Sequence, residues 1–182
     1  MKIQKIIKTR SLILRPPTIK DAQTIFVAYT QDPIVTRHVS WKTHQSIHES
    51  RQYIKDCIKA WKGNTRYIWI ITKKYGKEVI GTIDLRYVES RTLTPMADVG
   101  YVIKHSEWNK GYITEALRAV MGLAFSHLKI HRFWAICDVD NQASARVMEK
   151  AGMVREGRLR KYTFHPNIDN KPCDVYLYAK IQ

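Results

Sequence analysis

The order of strand-like and helix-like patterns constrains the fold of this chain more than any other feature of its sequence. Two strand-like runs, 67–72 and 79–88, are separated only by the turn-forming segment KKYGKE, which indicates a hairpin. After residue 96 the pattern becomes strand, helix, strand, helix. The sequence therefore predicts an α/β domain of the α+β type, with a mixed, mostly antiparallel central sheet of about seven strands flanked by about four helices.

Periodicity places the remaining elements along the chain. Further strands are predicted at 11–15, 96–104, 132–139 and 175–181. Helices are predicted to begin at a capping box, Thr18-x-x-Asp21, and to extend over 47–63, 113–128 and 141–151. No repeat or linker interrupts these elements, so we expect a single domain over 1–182.

The sequence contains no run apolar enough for a membrane helix. The most apolar stretch, 119–125, has seven residues, whereas a span needs about 20. The basic N-terminal segment lacks the continuous apolar run of a signal peptide. We therefore expect a cytoplasmic protein without membrane contact.

Three cysteines, Cys57, Cys137 and Cys173, are far apart in the chain, and no C-x-x-C motif is present. An odd number of widely spaced cysteines supports neither a disulfide scaffold nor a zinc module. Free cysteines are often buried as small apolar residues. We expect that environment for all three.

The chain carries 31 Lys and Arg residues against 16 Asp and Glu residues, a net charge of +15. Such a charge attracts polyanions without identifying one. No five basic residues are contiguous, so the pattern is not that of a disordered basic tail. Two interpretations stay open: a surface that serves an anionic partner, and a generally basic surface without that role.

The segment VGYVIKHSEWNKGYITEA, residues 99–116, is the most informative one. A strand ends at Lys104, a short loop contains Lys110 and Gly111, and a long helix follows. A helix N-terminus has unpaired N–H groups and a positive dipole end, so this loop could bind an anion such as pyrophosphate. An ordinary capped helix remains the alternative. The sequence has neither a P-loop nor a G-x-G-x-x-G motif.

A second segment, VDNQASARVMEKAGM at 139–153, combines a strand end with a short helix that closes at Gly152. Together with A-D-V-G-Y-V-I and W-N-K-G-Y-I-T-E-A-L, it resembles the GNAT superfamily of acetyl-CoA-dependent N-acetyltransferases. Within that superfamily it is similar to the RimJ/RimL-like group, which acetylates protein N-termini. The resemblance is close over 97–160 and looser at both ends of the chain.

This resemblance implies a binding site for acetyl-CoA as the acetyl donor. The implied contacts to it are Tyr101, Val102, Ile103, Lys104, Asn109, Lys110, Gly111, Tyr112, Ile113, Thr114, Asn141 and Ser144. The first four follow from the splayed strand that holds the pantetheine arm in this family. Two positions of the phosphate loop depart from the general pattern, with Trp108 in place of Gln or Arg and Ile113 in place of a small residue.

The reaction that the resemblance implies is direct attack of an amine on the thioester, which needs a proton donor for the thiolate and a base for the amine. The tyrosine that serves as the donor in many relatives is replaced by Met148, and Ser144 matches the serine of RimL-like enzymes. Ser144 is therefore the predicted acid, with a helix-capping role as the alternative.

For the base, Asp98 is the predicted residue and Glu89 the second choice, although both could be ordinary solvated carboxylates. The carboxylate expected near the last aromatic pair is absent, because Thr163 occupies that position, so a water chain is a further alternative. His44 and His48 are spaced like helical zinc ligands, but Gln45 stands where H-E-x-x-H has Glu, so no metal is expected.

Large aromatic residues more often fill cores than bind substrates. We expect that of Trp69, Tyr87 and Trp134, whereas Trp41 is predicted to form a wall of the substrate site, since the loop after the first helix does so in this family. Substrate specificity is expected to lie in the loops around 31–45 and 160–173.

Three functions remain open from the sequence. The first is acetylation of the α-amino group of a protein or peptide N-terminus, of the ribosomal-protein-alanine type, with ribosome association as a corollary. The second is acetylation of a small amine such as a polyamine, an aminoglycoside or an amino-acid-like toxin. The third is a non-catalytic, basic RNA- or ribosome-binding module. The positive charge favours the first, because it repels small cations.

Overall fold

A single eight-stranded sheet runs through the computed structural model of the protein, which describes residues 3–64, 66–88, 95–169 and 171–182. In chain order the strands are β1 (Ile7–Lys8), β2 (Leu12–Arg15), β3 (Arg66–Lys73), β4 (Val79–Val88), β5 (Met96–Ile103), β6 (Arg132–Asp138), β7 (Val154–Thr163) and β8 (Cys173–Ile181). Their spatial order is β1-β2-β3-β4-β5-β6-β8-β7. Among the strand pairs in these described ranges, β5 with β6 is parallel and the others are antiparallel.

Helices cover both faces of the sheet. They are α1 (Asp21–Ile25), α2 (Pro33–Thr36), α3 (Ile47–Gly63), α4 (Tyr112–Leu128) and α5 (Gln142–Ala151). A wider π-helical turn, Phe26–Thr30, continues α1, and a 3-10 turn, His105–Glu107, follows β5. The first three helices pack on one face and the last two on the other, as the two separate apolar cores show.

The two cores explain why strand β5 has different side chains on its two faces. Ala97 and Val99 lie in the core beneath α4 and α5, whereas Val102 packs against the core beneath α1 and α3. Successive side chains of a strand point to opposite faces of its sheet. In β5, odd-numbered residues therefore place their side chains on the face of α4 and α5, and even-numbered residues place theirs on the face of α1 and α3.

The predicted fold class is confirmed, with eight strands in place of about seven and five helices in place of about four. The sequence analysis missed β1, β7 and the four-residue helix α2. Strand β7 is exposed along most of its length and rich in charged side chains, as an unpaired sheet edge requires. It therefore lacks the apolar alternation that marks a half-buried strand.

Helix α1 begins later than predicted. Its first residue is Asp21, and Ile19 is outside the helix and 46% exposed. The two ends of the predicted capping box do meet, because the Thr18 backbone N–H and hydroxyl both donate to the Asp21 carboxylate, at 2.7 and 3.0 Å. This carboxylate also accepts two hydrogen bonds from Arg15, and it thereby ties the end of β2 to the helix.

The predicted helical spacing of His44 and His48 is wrong. Helix α3 begins at Ile47, so His44 lies in the preceding loop, where its ring bonds to the Ser50 hydroxyl at 2.7 Å. The end of the same helix is as predicted, because Asn64 adopts the left-handed conformation (φ 54°) that terminates it.

Burial matches the sequence-based expectation for some residues only. Cys57 and Cys137 are buried, whereas Cys173 is half-buried. Among the aromatic residues, Trp69 is fully buried and Tyr87 is 43% exposed, and Trp41 and Trp134 are half-buried. Within the described parts of the chain, no helix is both long and apolar enough to cross a membrane.

Candidate active site

A gap opens in the sheet between β5 and β6. The two strands pair only over three residues, with Asp98 opposite Trp134 as the last pair. Beyond this point β6 remains paired with β8 on its other edge, and β5 remains paired with β4. The facing edges of β5 and β6 are therefore free of each other from the Val99 carbonyl onward, as in the splayed strands implied by the family resemblance.

Only alternate residues of β5 can direct backbone groups into this gap, because hydrogen bonds alternate along an antiparallel pair. The Lys104 N–H donates to the Ile80 carbonyl of β4. Val102 is two residues earlier in the strand, so its backbone groups also point toward β4. The backbone of these two residues therefore serves the sheet, and Val99 and Tyr101 face the gap. This corrects the prediction that four consecutive residues, 101–104, line it.

The backbone groups of Ile103, like those of Tyr101, point into the gap, but the Ile103 carbonyl already has a hydrogen-bond partner. The indole N–H of Trp108 donates to it at 3.0 Å, and the Trp108 ring also contacts His105. Trp108 thereby fixes the loop to the end of β5, which is a structural role for this first departure from the general family pattern. Ile113, the other departure from the family pattern, packs in the core and leaves only its backbone to face a ligand.

Helix α4 begins without a side-chain cap. Its capping residue, Gly111, is left-handed (φ 80°), and the first intrahelical bond runs from the Glu115 N–H to the Gly111 carbonyl. The N–H groups of Tyr112, Ile113 and Thr114 precede that bond, so the helix offers them no partner. Asn109 is also left-handed (φ 61°). This is the loop conformation that gathers N–H groups around an anion.

Buried Glu107 holds the base of the loop. Its carboxylate accepts hydrogen bonds from Lys73 at 2.8 Å and Lys110 at 3.3 Å. Burial alone would raise the pKa of Glu107, but these hydrogen bonds outweigh it and the pKa is lowered. The ammonium of Lys104 is held similarly by Glu78. Half of the Lys110 side chain stays exposed beside the helix N-terminus, so a positive charge remains available to a phosphate.

A pair of hydroxyl groups lies at the other side of the gap. The Tyr101 and Ser144 hydroxyls are 2.8 Å apart, although the two residues come from different elements. Asn141, which precedes α5, accepts the Ser144 N–H at 3.1 Å and is therefore the capping residue of that helix. The capping role considered for Ser144 is thus filled by Asn141, and the amide N–H₂ of Asn141 is the part left for a ligand.

The Tyr101 hydroxyl was not foreseen as a chemical group, because the family resemblance suggested only a backbone role. Met148, where many relatives have tyrosine, is buried in the core. Tyr101 instead brings a phenol to the start of α5 from the facing strand. Burial raises the pKa of Tyr101, which keeps the phenol protonated at neutral pH.

Asp98 lies at the closed end of the gap and is already paired. Its Oδ2 accepts the Arg86 Nε–H at 2.8 Å, so proton transfer to it from an amine would disrupt this ion pair. Asp98 is four residues before Val102, so its side chain lies on the same face of the sheet as that of Val102, away from the Tyr101–Ser144 pair. Glu89, the second predicted base, lies outside the described residues. The predicted base is therefore poorly placed for this role.

A pocket of about 200 Å³ lies on the same face as Asp98. Its walls include His38, Asp138 and His165, whose potential ligand or proton-accepting atoms all lie within 4.8 Å of one another. The two histidines are 127 residues apart in the chain, and nothing in their local sequence links them. This cluster was not predicted from the sequence, where the only signal was that both loops expected to set specificity contain histidine: His38 and His44 in 31–45, and His165 in 160–173.

Asn167 joins these two loops. Its amide oxygen accepts the Thr43 N–H at 2.9 Å, and its N–H₂ group donates to the carbonyls of Thr36 and Trp41, at 2.7 and 2.8 Å. The loop after α2 is thereby fixed to the loop between β7 and β8. Trp41, predicted to form a wall of the substrate site, is held in this junction beside His44.

Comparisons with known proteins agree on one family. The model of the acetyltransferase (GNAT) domain matches residues 11–154. The protein YoaA of Bacillus subtilis, described as an uncharacterized N-acetyltransferase, is 30% identical over 177 residues, which cover 97% of each chain. A ribosomal-protein-serine acetyltransferase of Escherichia coli is 28% identical over 75% of this chain and 73% of its own.

A solved structure of similar shape is RimL, a ribosomal L7/L12 α-N-protein acetyltransferase in complex with coenzyme A. It superposes with a TM-score of 0.85 over 97% of this chain and 98% of its own, at 22% identity. At that identity the likeness concerns the fold.

Proposed function

The chain belongs to the GNAT acetyltransferase family, and from this premise we propose that it transfers the acetyl group of acetyl-CoA to the α-amino group of a protein or peptide N-terminus. The single observation that carries the proposal is the gap between β5 and β6. It runs from an uncapped helix N-terminus to a pair of hydroxyl groups.

The residues along this gap suit acetyl-CoA. The free N–H groups of Tyr112, Ile113 and Thr114, with the cation of Lys110, suit a pyrophosphate. The free carbonyl of Val99 and the free backbone of Tyr101 suit the amide groups of a pantetheine arm laid along the strand edge. Bound there, acetyl-CoA supplies an activated acyl group, and RimL, which shares the fold, was solved with coenzyme A.

The transfer is direct, from thioester to amine. A covalent route through cysteine needs a thiolate, and burial raises the pKa of Cys137, the cysteine in β6, to about 12. It also raises the pKa values of Cys57 and Cys173 to about 11. At neutral pH all three thiols stay protonated, so no cysteine competes with the amine of the acceptor as the nucleophile.

Three considerations support an N-terminal α-amine as the acceptor. Relatives of this chain and proteins of the same fold are described as acetyltransferases of ribosomal proteins. An α-amine has a pKa of about 8, so part of it is neutral at pH 7, whereas a lysine amine at about 10.4 is almost wholly protonated. The net charge of +15 suits proteins that are embedded in RNA.

A panel of acceptors tests this assignment. We expect peptides that begin with Ala or Ser to release coenzyme A thiol from acetyl-CoA faster than spermidine or an aminoglycoside does, because the basic surface repels those polycations. The same peptides with a blocked N-terminus are the matched control and should release none. Release with the polycations alone would instead assign the protein to small amines, and no release with any amine would support a binding module.

A further inference from the structure

We infer that the pocket of His38, Asp138 and His165 is the acceptor site, and that His165, beside the carboxylate of Asp138, removes the proton from the incoming ammonium group. This inference rests on the proposed function, and it assigns a base where the predicted base Asp98 is already paired with Arg86.

Asp138 holds a carboxylate close to the imidazole of His165. One Asp138 oxygen accepts the Asp140 N–H at 2.8 Å, which fixes the carboxylate at the end of β6. The other oxygen lies 3.0 Å from His165 Nε2, and both side chains are buried. This contact is not directed as a hydrogen bond, and neither Nδ1 nor Nε2 of His165 has a hydrogen-bond partner among the described residues. A neutral imidazole with unpartnered nitrogens beside a carboxylate can take up a proton, which that carboxylate stabilises.

The pocket lies beside the part of the gap where the acetyl group must react. Asp138 is four positions beyond Trp134, the last paired residue of β6, just as Val102 is four positions beyond Asp98 in β5. Trp134 is opposite Asp98, and Asp138 is four residues beyond Trp134, so the side chains of Asp138 and Asp98 lie on the same face of the sheet. Tyr101 and Ser144 are on the other face. The thioester would therefore have a proton acceptor on one side of the sheet and a pair of proton donors on the other.

The charge and size of the pocket suit a small primary ammonium group. Its volume of about 200 Å³ suits a chain terminus with a short side chain. Although the whole chain has a charge of +15, three carboxylates line this pocket against two permanent cations, Arg37 and Lys171. The carboxylates are Asp138, Asp140 and Asp169, and the other titratable groups in the lining are His38, His165 and Cys173. Burial lowers the pKa of neighbouring His38, so a second positive charge does not form beside His165 at neutral pH.

The proton balance of the transfer is closed. The ammonium gives its first proton to a ring nitrogen of His165, which passes it to solvent, and the nitrogen lone pair attacks the carbonyl carbon. A C–N bond forms and the C–S bond breaks. The sulfur gains a proton from the Tyr101–Ser144 pair, and the second proton lost by the nitrogen restores that pair through solvent. The products are an amide, a free thiol and one released proton.

The test is the pH profile of His165→Gln with the best acceptor of the panel. An α-amine with a pKa of about 8 is only about one tenth neutral at pH 7, so without a base we expect kcat to fall about tenfold at pH 7. The loss should disappear by pH 9, where the amine is neutral without help. Acetyl-CoA affinity, measured by calorimetry, should be unchanged. Asp138→Asn, which keeps the shape but not the charge, should shift the profile in the same direction and to a smaller extent.

The matched control is His127→Gln, an exposed histidine at the far end of α4, which should keep the wild-type profile. A wild-type profile for folded His165→Gln would overturn the inference. So would loss of wild-type activity on treatment with EDTA, which would mean that the three side chains hold a metal ion. If another amine proves to be the acceptor, the proposed N-terminal function fails, while the profile of that amine still decides the role of His165.

Discussion

Gly111→Val is expected to weaken acetyl-CoA binding by about a hundredfold or more, equivalent to about 2.7 kcal/mol. Gly111 is the left-handed residue from which helix α4 begins, and a Cβ built on it meets no atom of the protein within 4 Å. The added side chain would therefore occupy open space beside the N–H groups of Tyr112, Ile113 and Thr114. That space is where a pyrophosphate must approach the backbone.

The control for this variant must separate crowding of the ligand from strain in the backbone. Gly152, which ends α5, is also left-handed (φ 91°) and also has open space around a built Cβ. Valine at either position costs about 1–2 kcal/mol of stability for the left-handed conformation. We expect both variants to lose stability and only Gly111→Val to lose affinity in calorimetry. Equal affinities of the two folded variants would remove the loop from the binding site.

Ser144→Ala is expected to lower kcat about a hundredfold, the low end for loss of one acid–base group, with little change in acetyl-CoA affinity. The Ser144 hydroxyl lies 2.8 Å from the Tyr101 hydroxyl beside the gap. Asn141 already caps α5, so the substitution removes no capping hydrogen bond and stability should change little. A fall in kcat can therefore be assigned to chemistry.

Two further variants sharpen this result. Ser126→Ala removes a helical serine hydroxyl that bonds only to its own helix and neighbouring His127, and it should leave kcat unchanged. Tyr101→Phe removes the partner hydroxyl, and we expect a smaller loss because Ser144 still offers a proton to the thiolate. Normal turnover in Ser144→Ala together with a large loss in Tyr101→Phe would identify Tyr101 as the donor. Normal turnover in both would exclude the pair.

Much of the fold could be predicted because its long helices have one apolar face and its central strands, covered on both faces, are rich in apolar and β-branched residues. Helix α3 and strand β4 follow directly from apolar spacing and from a Gly or Asn at their ends. Strand β7 could not be found in this way, because it lies at the sheet edge and exposes charged side chains on both faces. The short helix α2 depends on Asp32, whose carboxylate caps it, and not on a periodic pattern.

The loop before α4 could also be predicted, because its conformation depends on local features: Gly111, Asn109 and the start of α4. The chemical groups are different, since they meet across the fold. Tyr101 and Ser144 are 43 residues apart, and each is ordinary in its own segment. His165 and Asp138 come together only because β6 ends where the loop after β7 passes over it. A single sequence does not contain that pairing, so the sequence alone predicts Asp98 as the base.

The most direct measurement of the central claim is the position of the acetyl group on a product. A peptide that begins with Ala and contains one internal Lys is incubated with the protein and deuterium-labelled acetyl-CoA, and tandem mass spectrometry locates the label. We expect the label on the α-nitrogen, with one coenzyme A thiol released for each labelled peptide. Label confined to the lysine side chain, or thiol release without labelled peptide, would contradict the proposal that this enzyme acetylates N-terminal amines.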